Sequence, residues 1–182
     1  MSAPFASLPV AHIAAALPLE VRLAVAVVAG FGATAIMTIA MDALPEGDVP
    51  PYVAAAALFG RSPGSVTKRQ ADAAHYAAGM LAGVIYELVV SGVDSVQTVA
   101  QRLVLFGTPT PLTLSDPVAI VLVITFLYVF FARLVFPRFG DRLFEDADVR
   151  RTVRRDWLVS ATVYGVALLT VVPLLYAFLP VG

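Results

Sequence analysis

The sequence predicts an all-α membrane protein: a bundle of four transmembrane helices with short interfacial or re-entrant helices. Three observations support this class, namely long apolar stretches, a composition unlike that of soluble domains, and an uneven distribution of positive charge. The chain has 182 residues, of which 59% are hydrophobic and 14% charged, and its mean hydropathy is +0.86. A typical soluble domain is about half apolar and about a quarter charged. We therefore treat residues 1–182 as one integral membrane domain.

Four apolar stretches are long enough to cross a bilayer, at about 21–44, 71–92, 117–136 and 157–179. A helix rises ~1.5 Å per residue, so about twenty apolar residues cross a hydrocarbon core ~30 Å thick. We call these stretches spans 1 to 4.

Two shorter helices are predicted outside the spans. The apolar segment 52–59 is too short to cross a membrane, so we expect an interfacial or re-entrant helix there. After span 2, Asp94 or Ser95 is expected to cap a short amphipathic helix lying on the membrane surface. The apolar face of that second helix is formed by Val96, Val99, Leu103 and Phe106.

The positive charges predict the orientation of the chain. Ten of the twelve Lys and Arg residues lie in or beside the connections between spans 1 and 2 and between spans 3 and 4. Only Arg22 and Arg102 lie on the other side. Basic loops stay in the cytoplasm during insertion. We therefore expect a multi-pass protein of the cell membrane, with the lipid bilayer around it, both basic loops in the cytoplasm and both termini outside.

Composition argues against several functional classes. The chain has no cysteine, which excludes disulfides, thiolate metal sites and cysteine nucleophiles. The basic run Arg150–Arg155 adjoins span 4 and Trp157, so we expect it to meet anionic head groups rather than nucleic acid. Gly30 and Gly32 imitate a dinucleotide fingerprint, but that motif requires a strand before its turn and helix. We expect no cofactor, no metal and no nucleic-acid partner.

Small and polar residues follow one face of each of the first two spans. In span 1 they recur every four positions, at Ala26, Gly30, Thr34, Thr38 and Asp42. In span 2 a comparable stripe contains Asp72, Tyr76, Gly79, Gly83 and Tyr86. Small residues allow helix backbones to approach closely, and G-x-x-x-G is a packing motif in apolar helices. We therefore predict that spans 1 and 2 pack together through Gly30, Thr34, Thr38, Gly79 and Gly83.

Ionisable residues within spans are costly, so they are the candidate polar or ligand-binding cluster. These residues are Asp42, Asp72, His75, Glu87 and Arg133. Two interpretations remain open. In the structural one, Asp42, Asp72 and Arg133 form an ion-pair cluster at one boundary, Arg22 neutralises Glu87 at the other, and His75 is hydrogen-bonded inside the bundle. In the functional one, the residues around His75 form a proton relay or a ligand site. One histidine with scattered carboxylates lacks the tight ligand spacing of a metal site.

A family resemblance rests on residues of the first two spans. The pattern Gly32-Ala-Thr34-Ala-Ile-Met37-Thr38 is followed by a proline-containing short helix, by His75-x-x-x-Gly79 and by Gly83-x-x-Tyr86. Over about residues 25–90 this pattern resembles uncharacterised small prokaryotic membrane proteins of four spans, the YagU-like inner-membrane proteins. The resemblance implies the architecture and no particular activity, and it draws interest to Thr34, Met37, His75 and Gly79.

The sequence contains no complete catalytic set, so no catalytic residue is assigned. The leading hypothesis is a non-enzymatic accessory or structural subunit, which packs on itself or on a larger membrane complex through small-residue helix faces. The alternative is a small oligomeric transporter or channel that uses Asp42, Asp72, His75 and Glu87 along a polar path. The two hypotheses differ in whether the polar stripe of span 2 is sealed against span 1 or lines a cavity.

Overall fold

The computed structural model describes residues 17–96, 102–103, 112–140, 144 and 146–179. Four of its helices are long and apolar enough to cross a membrane: Leu19–Asp42, Lys68–Ser95, Ser115–Phe139 and Ala147–Phe178. The predicted all-α bundle of four long apolar helices is therefore confirmed. Each of the four extends past its predicted span at one end or both. The largest extension is in span 4, where the basic segment and the apolar segment form one continuous helix.

The helices are numbered in chain order. They are α1 (Leu19–Asp42), α2 (Val49–Phe59), α3 (Lys68–Val96), α4 (Ser115–Phe130), α5 (Phe136–Phe139) and α6 (Ala147–Phe178). A short 3₁₀ turn, Pro63–Ser65, precedes α3, and a π-helical turn, Phe131–Val135, joins α4 to α5. Two-residue strands β1 (Arg102–Leu103) and β2 (Leu112–Thr113) pair in antiparallel fashion.

The prediction of an amphipathic helix after span 2 is wrong at the positions that the structure describes. Helix α3 continues through Asp94 and Ser95 to Val96, so neither residue is a cap that starts a new helix. Leu103, expected on the apolar face, belongs to an extended segment instead. The segment is extended because it pairs with a second strand, Leu112–Thr113, which the spacing of apolar residues around Leu103 does not reveal. Val99 and Phe106 lie outside the described residues.

Consecutive long helices run in opposite directions around the bundle. Helix α1 packs on α3 and α6, and α4 packs on the same two helices. The start of α1 meets the end of α3, and the end of α3 meets the start of α4. We call the end of the bundle that holds Leu19 and Phe178 the terminal end. The opposite end, with α2, α5 and the start of α6, we call the basic end.

The main core lies between the four long helices, and two smaller cores surround α2. Tyr86, Tyr164 and Leu168 are fully buried in the main core. At the basic end, Val53 of α2 packs with Phe131, Phe136 and Val153, while Ala55 and Ala56 pack on the start of α3. Gly60 ends α2 with a left-handed backbone (φ 63°), a conformation that glycine adopts without strain. The predicted short helix is confirmed, and its depth in a bilayer stays a prediction.

Helices α1 and α3 approach so closely that their backbones touch. A Cβ atom added to Gly30 would lie 2.6 Å from the carbonyl oxygen of Gly79, and one added to Gly83 would lie 3.1 Å from the Gly30 Cα. One added to Gly79 would lie 3.0 Å from the Thr34 Cβ. The predicted packing of spans 1 and 2 through these residues is confirmed. Glycine is required here because any side chain would separate the helices.

We predict that Gly30→Ala destabilises the bundle by about 1–3 kcal/mol, although alanine favours a helix over glycine by about 1 kcal/mol. The added methyl would meet the backbone of α3, which cannot move aside as a flexible side chain can. Gly92→Ala is the matched control, because no heavy atom lies within 4 Å of its added Cβ, and it should be neutral or stabilising. Unfolding in detergent, followed by circular dichroism, measures both. Equal stability of the two variants would contradict close packing at Gly30.

Candidate functional site

A buried ion pair joins α1 to α3 at the terminal end. Arg22 Nη2 lies 2.5 Å from Glu87 Oε1, and the two side chains are 15% and 3% exposed. Arg22 Nη2 also donates to Ser91 Oγ at 2.9 Å, and the Ser91 hydroxyl donates to Glu87 Oε1 at 3.2 Å. The predicted neutralisation of Glu87 by Arg22 is confirmed. Ser91, one turn after Glu87 on α3, completes the triangle.

The other two long helices reach the same cluster through tyrosine and aspartate side chains. Tyr86 of α3 donates to Asp116 Oδ1 in the first turn of α4 at 2.5 Å. The hydroxyl of Tyr176, from the last turns of α6, faces Arg22 and Glu87. Arg22 Nε and the Tyr176 hydroxyl are both buried and have no hydrogen-bond partner among the described residues. We call the six residues Arg22, Tyr86, Glu87, Ser91, Asp116 and Tyr176 the terminal cluster.

The terminal cluster brings polar side chains of all four long helices together inside the bundle. In a low-dielectric interior, burying an unpaired charge costs several kcal/mol. The Arg22 guanidinium and the Glu87 carboxylate can therefore be buried only because they pair with each other. The sequence did not single out Asp116 or Tyr176. A carboxylate in the first turn of a span and a tyrosine in the last turn of another were the available signals.

His75 lies toward the other end of the α1–α3 interface. Its Nε2 is 3.3 Å from Thr38 Oγ1, and only 8% of the residue is exposed. The Thr38 hydroxyl itself donates to the Thr34 carbonyl at 2.9 Å. The ring of Tyr76 contacts the imidazole edge to face, with centroids 5.8 Å apart. The sequence-based expectation that His75 is hydrogen-bonded within the bundle is therefore confirmed.

A small central cavity of about 30 Å³ adjoins His75. All four long helices contribute to its wall, through residues that include Met37, His75, Leu127, Trp157 and Tyr164. The Tyr164 hydroxyl donates to the Gly79 carbonyl at 2.6 Å, and Trp157 Nε1 donates to the Leu127 carbonyl at 3.1 Å. A cavity of this volume has room for one or two waters or a single ion.

The ion-pair cluster expected at the basic end does not form. Asp72 pairs instead with Lys68, one turn earlier on α3, at 2.9 Å, and both side chains are largely exposed. Asp42 and Arg133 are exposed and form no ion pair with a described residue. Arg133 lies in the π-helical turn, whose wider winding changes the direction of side chains relative to a regular helix. The structure thus brings together Arg22 with Glu87 and Thr38 with His75, but not Asp42, Asp72 and Arg133.

Asp156 is a buried carboxylate that the sequence analysis missed. It is 0% exposed, and its Oδ1 accepts from Arg155 Nε and Nη2 at 3.0 and 2.9 Å. Its Oδ2 accepts from the backbone amide of Glu46 at 3.1 Å, which ties the α1–α2 connection to α6. Asp156, Ser160 and Tyr164 recur every four residues on the buried face of α6. That spacing was a signal in the sequence, but Asp156 was counted there only as one more charge at the end of the basic segment.

The described residues contain no group of three or more His, Cys, Asp or Glu side chains that could hold a metal ion. The larger cavities are open apolar grooves on the outside, between α1 and α6. One, of about 360 Å³, is lined by residues that include Ile36, Val166 and Thr170. The other, of about 330 Å³, lies nearer the terminal end beside Val28 and Leu175. Both grooves are lined mainly by apolar side chains.

Fold and site together define the class of this protein: it is a multi-pass membrane protein whose polar side chains are concentrated at helix contacts and at the two ends of the bundle. No protein-family model, no curated protein and no solved structure matches the chain. The resemblance to YagU-like proteins therefore stays a prediction.

We predict that Glu87→Leu lowers the free energy of unfolding by about 3–5 kcal/mol, because it leaves the Arg22 guanidinium buried without its carboxylate. The double variant Arg22→Leu/Glu87→Leu should recover most of that loss, since neither charge then remains. Equilibrium unfolding in mixed micelles measures each variant. The exposed pair is the control: Lys68→Leu should leave stability unchanged. A double variant no more stable than Glu87→Leu alone would contradict this account.

Proposed function

We propose that the protein is a non-enzymatic accessory or structural subunit, which packs on itself or on a larger complex in the cell membrane. The observation that carries the proposal is the closed α1–α3 interface. Its charged and polar side chains bind one another, as in Arg22 with Glu87 and Thr38 with His75. Ionisable groups in a membrane usually mark a pathway when they face water. Here Glu87 and His75 face neighbouring helices.

The segment between the two polar regions supports the same proposal. His75 and Glu87 are twelve residues apart on α3, a distance of ~18 Å along the helix. Over that length, Gly79 and Gly83 hold the backbone of α3 against α1 with no room for an added methyl group. A continuous file of water along this interface would have to separate the two helices. The contact favours a scaffold over a conduit.

The outer surface of the bundle suits association with other membrane helices. Large apolar side chains are exposed on every long helix, among them Ile39, Leu81, Val121 and Val166. Association in lipid depends on shape and close packing, because lipid tails are as apolar as the side chains. The grooves between α1 and α6 are recesses into which side chains of another helix can pack.

We predict that the protein purified in mild detergent, or directly into lipid nanodiscs, is part of an assembly heavier than one 19.2 kDa chain. The assembly contains either several copies of the chain or a second polypeptide at a fixed ratio. Native mass spectrometry distinguishes the two. A single chain without a partner, in nanodiscs formed directly from the membrane of origin, would contradict the proposal.

Flux measurements provide the comparison with the transporter alternative. Vesicles reconstituted with the wild type should leak protons, Na⁺ and K⁺ no faster than empty vesicles. If the alternative were correct, the wild type would show flux, and His75→Ala and Glu87→Ala would both abolish it. Leu81→Ala, on the exposed side of α3, is the matched control for insertion and folding.

The orientation is part of the proposal, with both basic loops in the cytoplasm and both termini outside. The chain lacks cysteine, so single cysteines can be introduced without a background. We predict that Ser95→Cys, exposed near the terminal end, reacts with a membrane-impermeant maleimide in intact cells. Gly64→Cys, exposed in the connection before α3, should react only after permeabilisation. The reverse pattern would place the basic end outside.

A further inference from the structure

We propose that the central cavity binds one soft monovalent metal ion of the Cu(I) class, held by His75 Nδ1 and the Met37 thioether. The proposal is independent of the accessory role. A site of this kind needs neither carboxylates nor several histidines. Four observations carry it: the tautomer of His75, the other polar groups of the wall, the cavity volume and the hydrogen bond behind the imidazole.

The hydrogen-bond network assigns the proton of His75 to Nε2. Thr38 has one hydroxyl hydrogen, and it is directed to the Thr34 carbonyl at 2.9 Å. Thr38 Oγ1 can therefore only accept in its 3.3 Å contact with His75 Nε2, so Nε2 carries the hydrogen. Nδ1 then holds the lone pair, and no described residue donates a hydrogen bond to it. A neutral imidazole with one free nitrogen is the form that coordinates metals.

The other polar side chains of the wall already have partners. Thr34, Trp157 and Tyr164 each direct their hydrogen to a backbone carbonyl, at 2.6, 3.1 and 2.6 Å. His75 and Met37 remain as the side chains whose donor atoms, nitrogen and sulfur, have no such engagement among the described residues of the wall. Met37 lies on α1 and His75 on α3, so the two reach the cavity from neighbouring helices.

This donor set selects the class of ion. Thioether and imidazole ligands favour soft ions such as Cu(I), whereas Mg²⁺ and Ca²⁺ require oxygen ligands and zinc usually takes four ligands. No carboxylate lines the cavity. A volume of about 30 Å³ suits one ion of low coordination number.

The contact behind His75 matches the usual support of a metal-bound imidazole. Histidine ligands generally donate their second ring N–H to a neighbouring acceptor, which fixes the ring and raises its basicity. Thr38 Oγ1 is such an acceptor, and it is itself fixed by its bond to the Thr34 carbonyl. The imidazole is thus oriented before any ion arrives.

The test uses Ag(I), which has the soft chemistry of Cu(I) without its redox reactions. The full chain in detergent is titrated in chloride-free buffer, and bound silver is counted by mass spectrometry after gel filtration. We expect one Ag(I) per chain. Because Trp157 is the only tryptophan and lines the cavity, its fluorescence should be quenched with saturation at one equivalent. No bound silver, or tighter binding of Zn²⁺ than of Ag(I), would overturn the proposal and leave the cavity to water.

Two methionines of α1 supply the matched comparison. Met37→Leu should weaken Ag(I) binding at least tenfold. Met41→Leu should leave it unchanged, because Met41 is equally buried one turn along but does not line the cavity. His75→Asn should also abolish binding. If that variant does not fold, the pair of methionine variants decides. Equal affinities of Met37→Leu and Met41→Leu would show that the silver binds elsewhere.

Discussion

The backbone contact between α1 and α3 determines the positions of most polar side chains in the bundle. Gly30, Gly79 and Gly83 allow the two helices to touch, and their contact sets the register. With that register fixed, Arg22 lies beside Glu87 at one end and Thr38 beside His75 toward the other. Lipid provides no hydrophobic force that drives helices together, so close packing and hydrogen bonds must do so. Both act at this one interface.

The remaining helices complete the bundle by directing polar hydrogens to oxygen atoms of their neighbours. Tyr164 of α6 donates to α3, Trp157 of α6 donates to α4, and Tyr86 of α3 donates to α4. Threonines within the spans return their hydrogens to their own helix, as Thr34 does to Gly30. A polar group inside a membrane must be satisfied within the protein. Apart from two atoms in the terminal cluster, the described side chains largely meet that condition.

The sequence was sufficient for the features that depend on one helix at a time. Hydropathy and length identified the spans, and the four-residue repeat of small side chains identified the faces of α1 and α3 that meet. The predicted positions of Arg22 and Glu87 along their helices, at the same end of the bundle, were enough to pair them. The pairing failed for Arg133, because the π-helical turn rotates side chains in a way that a regular 3.6-residue period does not anticipate.

Features that depend on several distant segments were not predictable. Asp156 looked like one more charge in a charged connection, and only the folded α6 shows that it is buried against Glu46. Asp116 and Tyr176 come from different helices, and their proximity to Glu87 follows from the order of helices around the bundle. The strand Arg102–Leu103 needs the partner strand Leu112–Thr113, which no local periodicity reveals.

The bond between Asp156 and the Glu46 amide has a consequence for biosynthesis. The two residues are 110 positions apart, and a ribosome adds about 5–20 residues per second. The turn after the first helix therefore waits about 5–20 seconds for its acceptor, until the start of the last helix is made. Residues 19–96, which include α1 and α3, are complete before Asp156 is made, so the contact between Gly30 and Gly79 can form while the basic end still lacks this bond.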